Sequence, residues 1–178
     1  MRLFIAIELE DNIKNALLEI QGSMKKQNIT GNYTPIENTH ITLAFIGEYP
    51  DPEEILEVMS NVPFEPFTLT LGGFGSFGNI WWTGLEKSEE LLSYVKKLRH
   101  ALSDADIPFD HKKFSPHITV IRKAVCRKGL PRITVPHKTM AVKKISLYRS
   151  DRGKNGMIYT ELDNMKIHNN INDCIKAD

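Results

Sequence analysis

With 178 residues, 41% of them hydrophobic and 25% charged, the chain carries enough apolar material for one domain or two closely packed lobes, and reads as soluble and globular. A formal net charge of +1 excludes a global basic field that would wrap a long polyanion, though a local patch could still take a short or terminal piece of nucleic acid. Cys126 and Cys174, without CxxC spacing, exclude a disulfide framework and fit a reduced, cytoplasmic setting; no run approaches the roughly 20 apolar residues of a membrane span.

Residues 2–8, rich in Ile, Leu and Phe, predict a strand; their apolar stretch is too short for a signal-peptide core. Ile13, Ala16, Leu17, Ile20 and Met24 recur at helical spacing, which predicts a helix over 11–26 with Asp11 as its cap. Thr30-Gly31-Asn32 reads as a turn, followed by a strand over about 38–46 that Gly47 ends. Asp51-Pro52-Glu53-Glu54 is a helix start, with a cap, Pro at the first helical position and acids in the first turn; this short helix runs to about Ser60. Pro63 and Pro66 precede two strands, 67–71 and 80–85. Ser88-Glu89-Glu90 then opens a helix with an apolar stripe of Leu91, Leu92, Val95, Leu98 and Leu102. A further strand is expected over about 114–122, a basic, Pro-punctuated loop over 126–138, and two last strands over about 139–149 and 157–163. The polar tail from His168 is expected to fray.

The strands at 38–46 and 114–122 carry the same tripeptide, as His40-Ile41-Thr42-Leu43 and His117-Ile118-Thr119-Val120. Side chains alternate along a strand, so His40 and Thr42 share one face while Ile41, Leu43 and Phe45 share the other, and the second copy repeats the geometry with His117 and Thr119 opposite Ile118 and Val120. One His-x-Thr alone is more simply a polar residue satisfied by a hydrogen bond. Two copies in matched strands are a different observation. Facing each other, they would build a site with two imidazoles and two hydroxyls. An imidazole has an unperturbed pKa of about 6.5, so near neutrality one can take a proton from water while the other gives one to a leaving oxygen. The two threonines can donate to non-bridging oxygens of a phosphate, and no metal is needed.

The chain resembles the two-histidine (2H) phosphoesterase superfamily, and within it the bacterial and archaeal RNA 2',3'-cyclic phosphodiesterases, also called LigT or ThpR and formerly 2'-5' RNA ligases. The resemblance spans nearly the whole chain. It rests on both His-x-Thr motifs, the opening Arg2-Leu3-Phe4-Ile5-Ala6-Ile7, Glu37-Asn38 before His40 and Leu43-Ala44-Phe45-Ile46-Gly47 after it. Phe114-Ser115-Pro116 before His117, Arg122 after it, and Leu147-Tyr148-Arg149-Ser150 with Gly156 and Tyr159 add to it. It implies an α+β fold of two mainly antiparallel sheets with flanking helices, bilobal, duplicated and pseudo-two-fold symmetric about a central cleft. Residues 1–168 would form one domain of two intertwined lobes, with 169–178 a polar tail. The resemblance implies no metal and no cofactor, with His40 as proton donor to the departing 3'-oxygen, His117 as the base that activates water, and Thr42 and Thr119 on the phosphate. Arg122 matches a family arginine that adds charge to the phosphate pocket. Strict alternation puts Arg122 on the face opposite His117, so that role requires the strand to bend or end there. Phe45 holds the equivalent offset in the first half, where it stacks on a base or packs in the core. The chain departs from the family in having Pro35 one place early and Tyr33 where Trp is frequent.

Other signals carry less. Gly73-Phe74-Gly75-Ser76-Phe77-Gly78 fits a dinucleotide-binding glycine pattern, but a strand follows where a helix is required, so a loop and hairpin are expected. Trp81 and Trp82 point to opposite faces of that strand, one into the core and one toward a cleft. His100, His111, His137 and His168 lack ligand spacing, and Lys96-Lys97 and Lys143-Lys144 read as solvated faces. The basic run Arg122, Lys123, Arg127, Lys128 and Arg132 could steer RNA ends. The expected activity is metal-independent hydrolysis of RNA 2',3'-cyclic phosphate ends to 2'-phosphates, by a monomer acting on RNA ends or small cyclic nucleotides. The alternatives are a phosphodiesterase or ligase acting on 2'-5' linked oligonucleotides or a small cyclic nucleotide, and a silent nucleotide-binding module.

Overall fold

The computed structural model describes residues 1–167, so the expected fraying of the tail, and with it His168 and Cys174, lies outside the described residues. The strands β1 (Arg2–Glu8), β3 (His40–Glu48), β8 (Lys144–Gly153) and β9 (Gly156–Lys166) form one antiparallel sheet in the order β3-β1-β8-β9. The strands β2 (Thr30–Tyr33), β4 (Phe67–Phe77), β5 (Ile80–Leu85), β6 (His117–Val125) and β7 (Thr139–Val142) form a second, in the order β2-β6-β5-β4-β7. Helices α1 (Asp11–Lys26), α2 (Pro52–Ser60) and α3 (Glu89–Asp104) complete an α+β fold, as expected. Five successive residues of β1, Leu3 to Ile7, are buried, which is why this strand shows no polar alternation: it is central and covered on both faces. Setting β2 aside, each sheet begins with a motif strand, β3 or β6, followed by three partners. The two motif strands approach each other, with backbone pairs within 8 Å. Among the described residues no helix is long and apolar enough to cross a membrane.

Several elements differ from expectation, each for a local reason. Asp11 is the first helical residue, the cap position is Glu10 without a side-chain cap bond, and Asn12 Oδ1 accepts from the Ile13 N–H. Asp51 and Ser88 do cap α2 and α3, accepting from the Glu53 and Leu91 N–H groups. Thr30-Gly31-Asn32 is strand rather than turn. Gly31 has φ +148° and a Cβ there would meet the Lys123 carbonyl at 2.8 Å, so glycine lets β2 press against β6. The motif strands begin at the histidines themselves, after a 3₁₀ turn at Ile36–Asn38 in one case and after Pro116, which has no N–H to donate, in the other. β4 runs on through the glycine pattern to Phe77 and turns at Gly78. The strand expected over 139–149 is two: β7 pairs with β4, the chain changes sheet at Lys143, and β8 pairs with β1. Lys144 is consequently no solvated face, for its ammonium lies 3.1 Å from Glu8 and 2.8 Å from Glu161.

Candidate active site

Both motif strands carry a β-bulge at the same place. Opposite β1, Ile5 pairs with Ala44 and Ala6 with Thr42, which leaves Leu43 as the extra residue. Opposite β5, Trp81 pairs with Ile121 and Trp82 with Thr119, which leaves Val120 extra. A bulge shifts the alternation by one, so two neighbours face the core, Leu43 with Ala44 and Val120 with Ile121. Beyond it, Phe45 and Arg122 return to the face of the histidines. The requirement that strict alternation set for Arg122 is met in this way, and Phe45 turns to the cleft by the same device.

Each bulge carbonyl is held by a side chain from a helix. Arg99 of α3 donates to the Leu43 carbonyl from Nε and Nη2, both at 3.2 Å, and from Nη1 to the Lys112 carbonyl at 2.8 Å. Gln21 of α1, only 4% exposed, donates from Nε2 to the Val120 carbonyl at 3.0 Å and the Thr34 carbonyl at 2.8 Å. The helix from the first half thus supports the second motif strand, and the helix from the second half supports the first.

The histidines are oriented alike. His40 Nδ1 lies 2.8 Å from the Asn38 carbonyl and His117 Nδ1 lies 2.7 Å from the Ser115 carbonyl. A carbonyl only accepts, so each Nδ1 bears the hydrogen and each Nε2 is left to exchange protons. Asn38 is itself anchored, its side-chain amide donating to the Met157 carbonyl of β9 at 2.8 Å. Aromatic rings hold both imidazoles. Phe4 and Tyr159 lie 4.9 and 5.2 Å from His40, the latter edge-on, and Phe77 and Trp82 lie 5.1 and 6.1 Å from His117. Burial is the main force lowering the His40 pKa below 6.5. The Asn38 carbonyl opposes it, and the charges of Arg122 and His117 add to it.

Two adjoining cavities share Thr42 and Phe45. One, of about 250 Å³, holds His40 and Arg122 with Arg2, Phe4 and Tyr159. The other, of about 480 Å³, holds His117 with Phe77, Phe114, Lys112 and Lys113. Arg2 also sits over the Phe45 ring at 5.0 Å. Of the residues singled out by sequence, His40, Thr42, Phe45, Arg122 and His117 therefore come together. Thr119 is half-buried, pairs with Trp82 and lines neither of these two cavities. Trp81 goes to the core and Trp82 to His117. Phe4, Tyr159 and Phe77 line the two cavities without having been singled out by sequence. Phe4 and Tyr159 do lie in stretches that carry the resemblance, whereas Phe77, an apolar residue 47% exposed, gives no such signal.

The other histidines among the described residues are engaged elsewhere: His100 with Asp104 at 3.5 Å, His137 with Glu86 at 3.3 Å, and His111 against the Phe109 ring. Among the described residues no group of three or more His, Cys, Asp or Glu is placed to hold a metal ion. Two imidazoles with free Nε2 atoms, a hydroxyl and a guanidinium about one cleft make a set suited to proton transfer at a phosphate.

Comparisons with known proteins converge. The family model of the 2'-5' RNA ligase superfamily matches residues 9–154. A Thermotoga maritima protein named RNA 2',3'-cyclic phosphodiesterase is 31% identical, covering 91% of this chain and 93% of that protein. One of the same name from Archaeoglobus fulgidus is 30% identical, covering 91% and 98%. A crystal structure from Thermus thermophilus superposes with a TM-score of 0.79 at 30% identity, covering 93% and 97%. That of E. coli LigT complexed with 3'-AMP does so with 0.78 at 25% identity, covering 93% and 96%.

Proposed function

Because this chain belongs to the 2'-5' RNA ligase superfamily, we propose that it hydrolyses 2',3'-cyclic phosphate ends of RNA to 2'-phosphate ends, using His40 and His117 as its acid–base pair. The observation that carries the reading is the matched orientation of the two imidazoles, each with Nδ1 tied to the carbonyl two residues back. Names shared by several relatives support the substrate. Residues 1–168 act as one domain of two interleaved lobes.

In the step, water attacks phosphorus in line with the 3'-oxygen and gives its proton to His117 Nε2. The bond from phosphorus to the 3'-oxygen breaks, and that oxygen takes the proton on His40 Nε2. The products are a 2'-phosphomonoester and a free 3'-hydroxyl, and the histidines exchange protons with solvent to reset. The Thr42 hydroxyl and the Arg122 guanidinium meet the charge that grows on the non-bridging oxygens. The family resemblance assigns the same part to Thr119, which lies outside the two cavities on the strand of His117. Burial favours neutral His40 in the free enzyme. The incoming phosphodiester brings a negative charge, which draws a proton onto that imidazole and arms it as the donor.

The test is an assay in chelator on an oligoribonucleotide with a 2',3'-cyclic end. Hydrolysis that leaves the phosphate on the 2'-oxygen is expected; a 3'-phosphate product, or activity restored only by an added divalent metal, would rule the mechanism out. A second reading draws on the aromatic cavity beside His117. A nucleoside hydroxyl there could replace water and make a 2'-5' linkage, so the same assay with an added 5'-hydroxyl oligonucleotide should be scored for a joined product.

A further inference from the structure

A larger cavity, of about 700 Å³, opens beside the one that holds His40 and shares Arg2, Ser150 and Met157 with it. Its outer wall is the turn between β8 and β9, with Arg152 and Lys154. Both carboxylates on its lining are already engaged: Asp151 accepts from Arg149 Nε at 2.7 Å, and Glu48 lies 3.4 Å from the Met1 ammonium. Among the described residues Arg2, Arg152 and Lys154 have no carboxylate partner, so the cavity carries an excess of cation. Met157, 37% exposed on the shared wall, adds an apolar surface. Cations for a phosphate beside an apolar surface for a base are the two things a single-stranded nucleotide asks of a protein.

The reaction geometry says which way a substrate strand leaves. In-line displacement sets the attacking water and the departing 3'-oxygen on opposite sides of phosphorus. The departing oxygen remains part of the terminal ribose. With His40 as donor, that ribose lies on the His40 side, and so does the 5'-phosphodiester that joins it to the preceding nucleotide. That side opens into the cation-lined cavity.

We propose that this cavity is a subsite for the penultimate nucleotide of an RNA strand. Arg152 and Lys154 hold the phosphodiester that joins the last two nucleotides, with Arg2 at the boundary. The preferred substrate is therefore the end of a chain rather than a free cyclic mononucleotide. This inference rests on the cyclic phosphodiesterase reading above. The rival path runs over Arg127 and Lys128 in the loop after β6, and neither of these lines the cavities described.

The experiment compares kcat/KM for a nucleoside 2',3'-cyclic phosphate with that for an oligoribonucleotide ending in the same group, across a salt series. Three proteins are used: the wild type, an Arg152→Gln/Lys154→Gln variant and an Arg127→Gln/Lys128→Gln variant. The wild type should favour the oligonucleotide about tenfold at low salt, with a steeper salt dependence. The hairpin variant should lose that preference while hydrolysing the mononucleotide as before. Its slope of log kcat/KM against log salt should flatten by about 0.7, the share of the one phosphodiester that the two cations hold. The loop variant should behave as wild type. Equal use of both substrates by the wild type would overturn the subsite and leave the cyclic phosphodiesterase reading standing. So would a preference that survives in the hairpin variant or disappears in the loop variant. A hairpin variant that loses both substrates alike would show the turn to be part of the reaction site and not a separate subsite. Failure of the wild type on both substrates would bring down the subsite and the reading together.

Discussion

The carbonyls of Asn38 and Ser115 decide which ring nitrogen of His40 and His117 can move a proton. Both imidazoles reach the cleft through Nε2, and their duties differ only in what surrounds them. Replacing either by alanine should lower kcat by about 10²–10⁴-fold, the usual size for one positioned acid or base. The double variant should fall much less than the product of the two, because the pair acts as a unit. A phosphodiester whose leaving group is too acidic to need protonation should rescue His40→Ala; rescue of His117→Ala would exchange the two roles, and full activity in either single variant would end the two-histidine account. Arg122 lowers the His40 pKa through its charge, so Arg122→Gln should move that pKa upward, read from the imidazole proton shift in an NMR titration. An unmoved titration would mean that the guanidinium does not reach His40 in solution.

At the scale of the element, the twin bulges do what neither motif can do alone, bringing the residue five places beyond each histidine onto its face. Arg99→Met removes three hydrogen bonds, two to the buried Leu43 carbonyl and one to the Lys112 carbonyl. It should cost about 2 kcal/mol and lower Tm by about 4–8 °C in a chain of this size, with a loss of kcat/KM. Arg99→Lys should not restore it, since one ammonium cannot span two carbonyls as the fork does. The glycine pattern in β4 has a packing purpose: a Cβ on Gly75 would lie 2.6 Å from the Trp82 ring, which itself packs on His117. Gly75→Ala should therefore cost about 1–3 kcal/mol by overpacking and reduce turnover, measured by urea unfolding and by steady-state rate; a variant as stable and active as wild type would disprove the contact. The motif strands were legible in the sequence because period-two alternation and β-branched content are local. The bulges were not, because an extra residue is defined only against the partner strand's register, which no local pattern states. Phe77 stayed hidden for a similar reason, since an apolar residue at a strand end looks the same whether it meets solvent or an imidazole.

At the scale of the molecule, helices interspersed with hairpin-like strands argued for an α+β fold with largely antiparallel sheets, the matched motifs pointed to two similar halves, and the division into two sheets came from the family resemblance. The way the halves interleave could not be read. Val142 and Lys144 belong to one apolar-rich run yet to different sheets, and only long-range pairing with β4 and β1 separates them. His40 meets Tyr159 and Asn38 meets Met157 across more than a hundred residues, so the hairpin of β8 and β9 finishes the site begun by the first motif strand. A chain cut after residue 142 should retain both histidines and yet show no hydrolysis and poor solubility, checked by fractionation and assay; a soluble, active fragment would refute this dependence. The burial of Leu3 to Ile7 on both faces has a further cost in time. On a ribosome adding about 5–20 residues per second, β1 emerges roughly 7–27 s before β8 does. Throughout that interval one edge of an almost wholly aliphatic strand is open to any passing partner, so the newborn chain is most prone to clump while its last quarter is still being made.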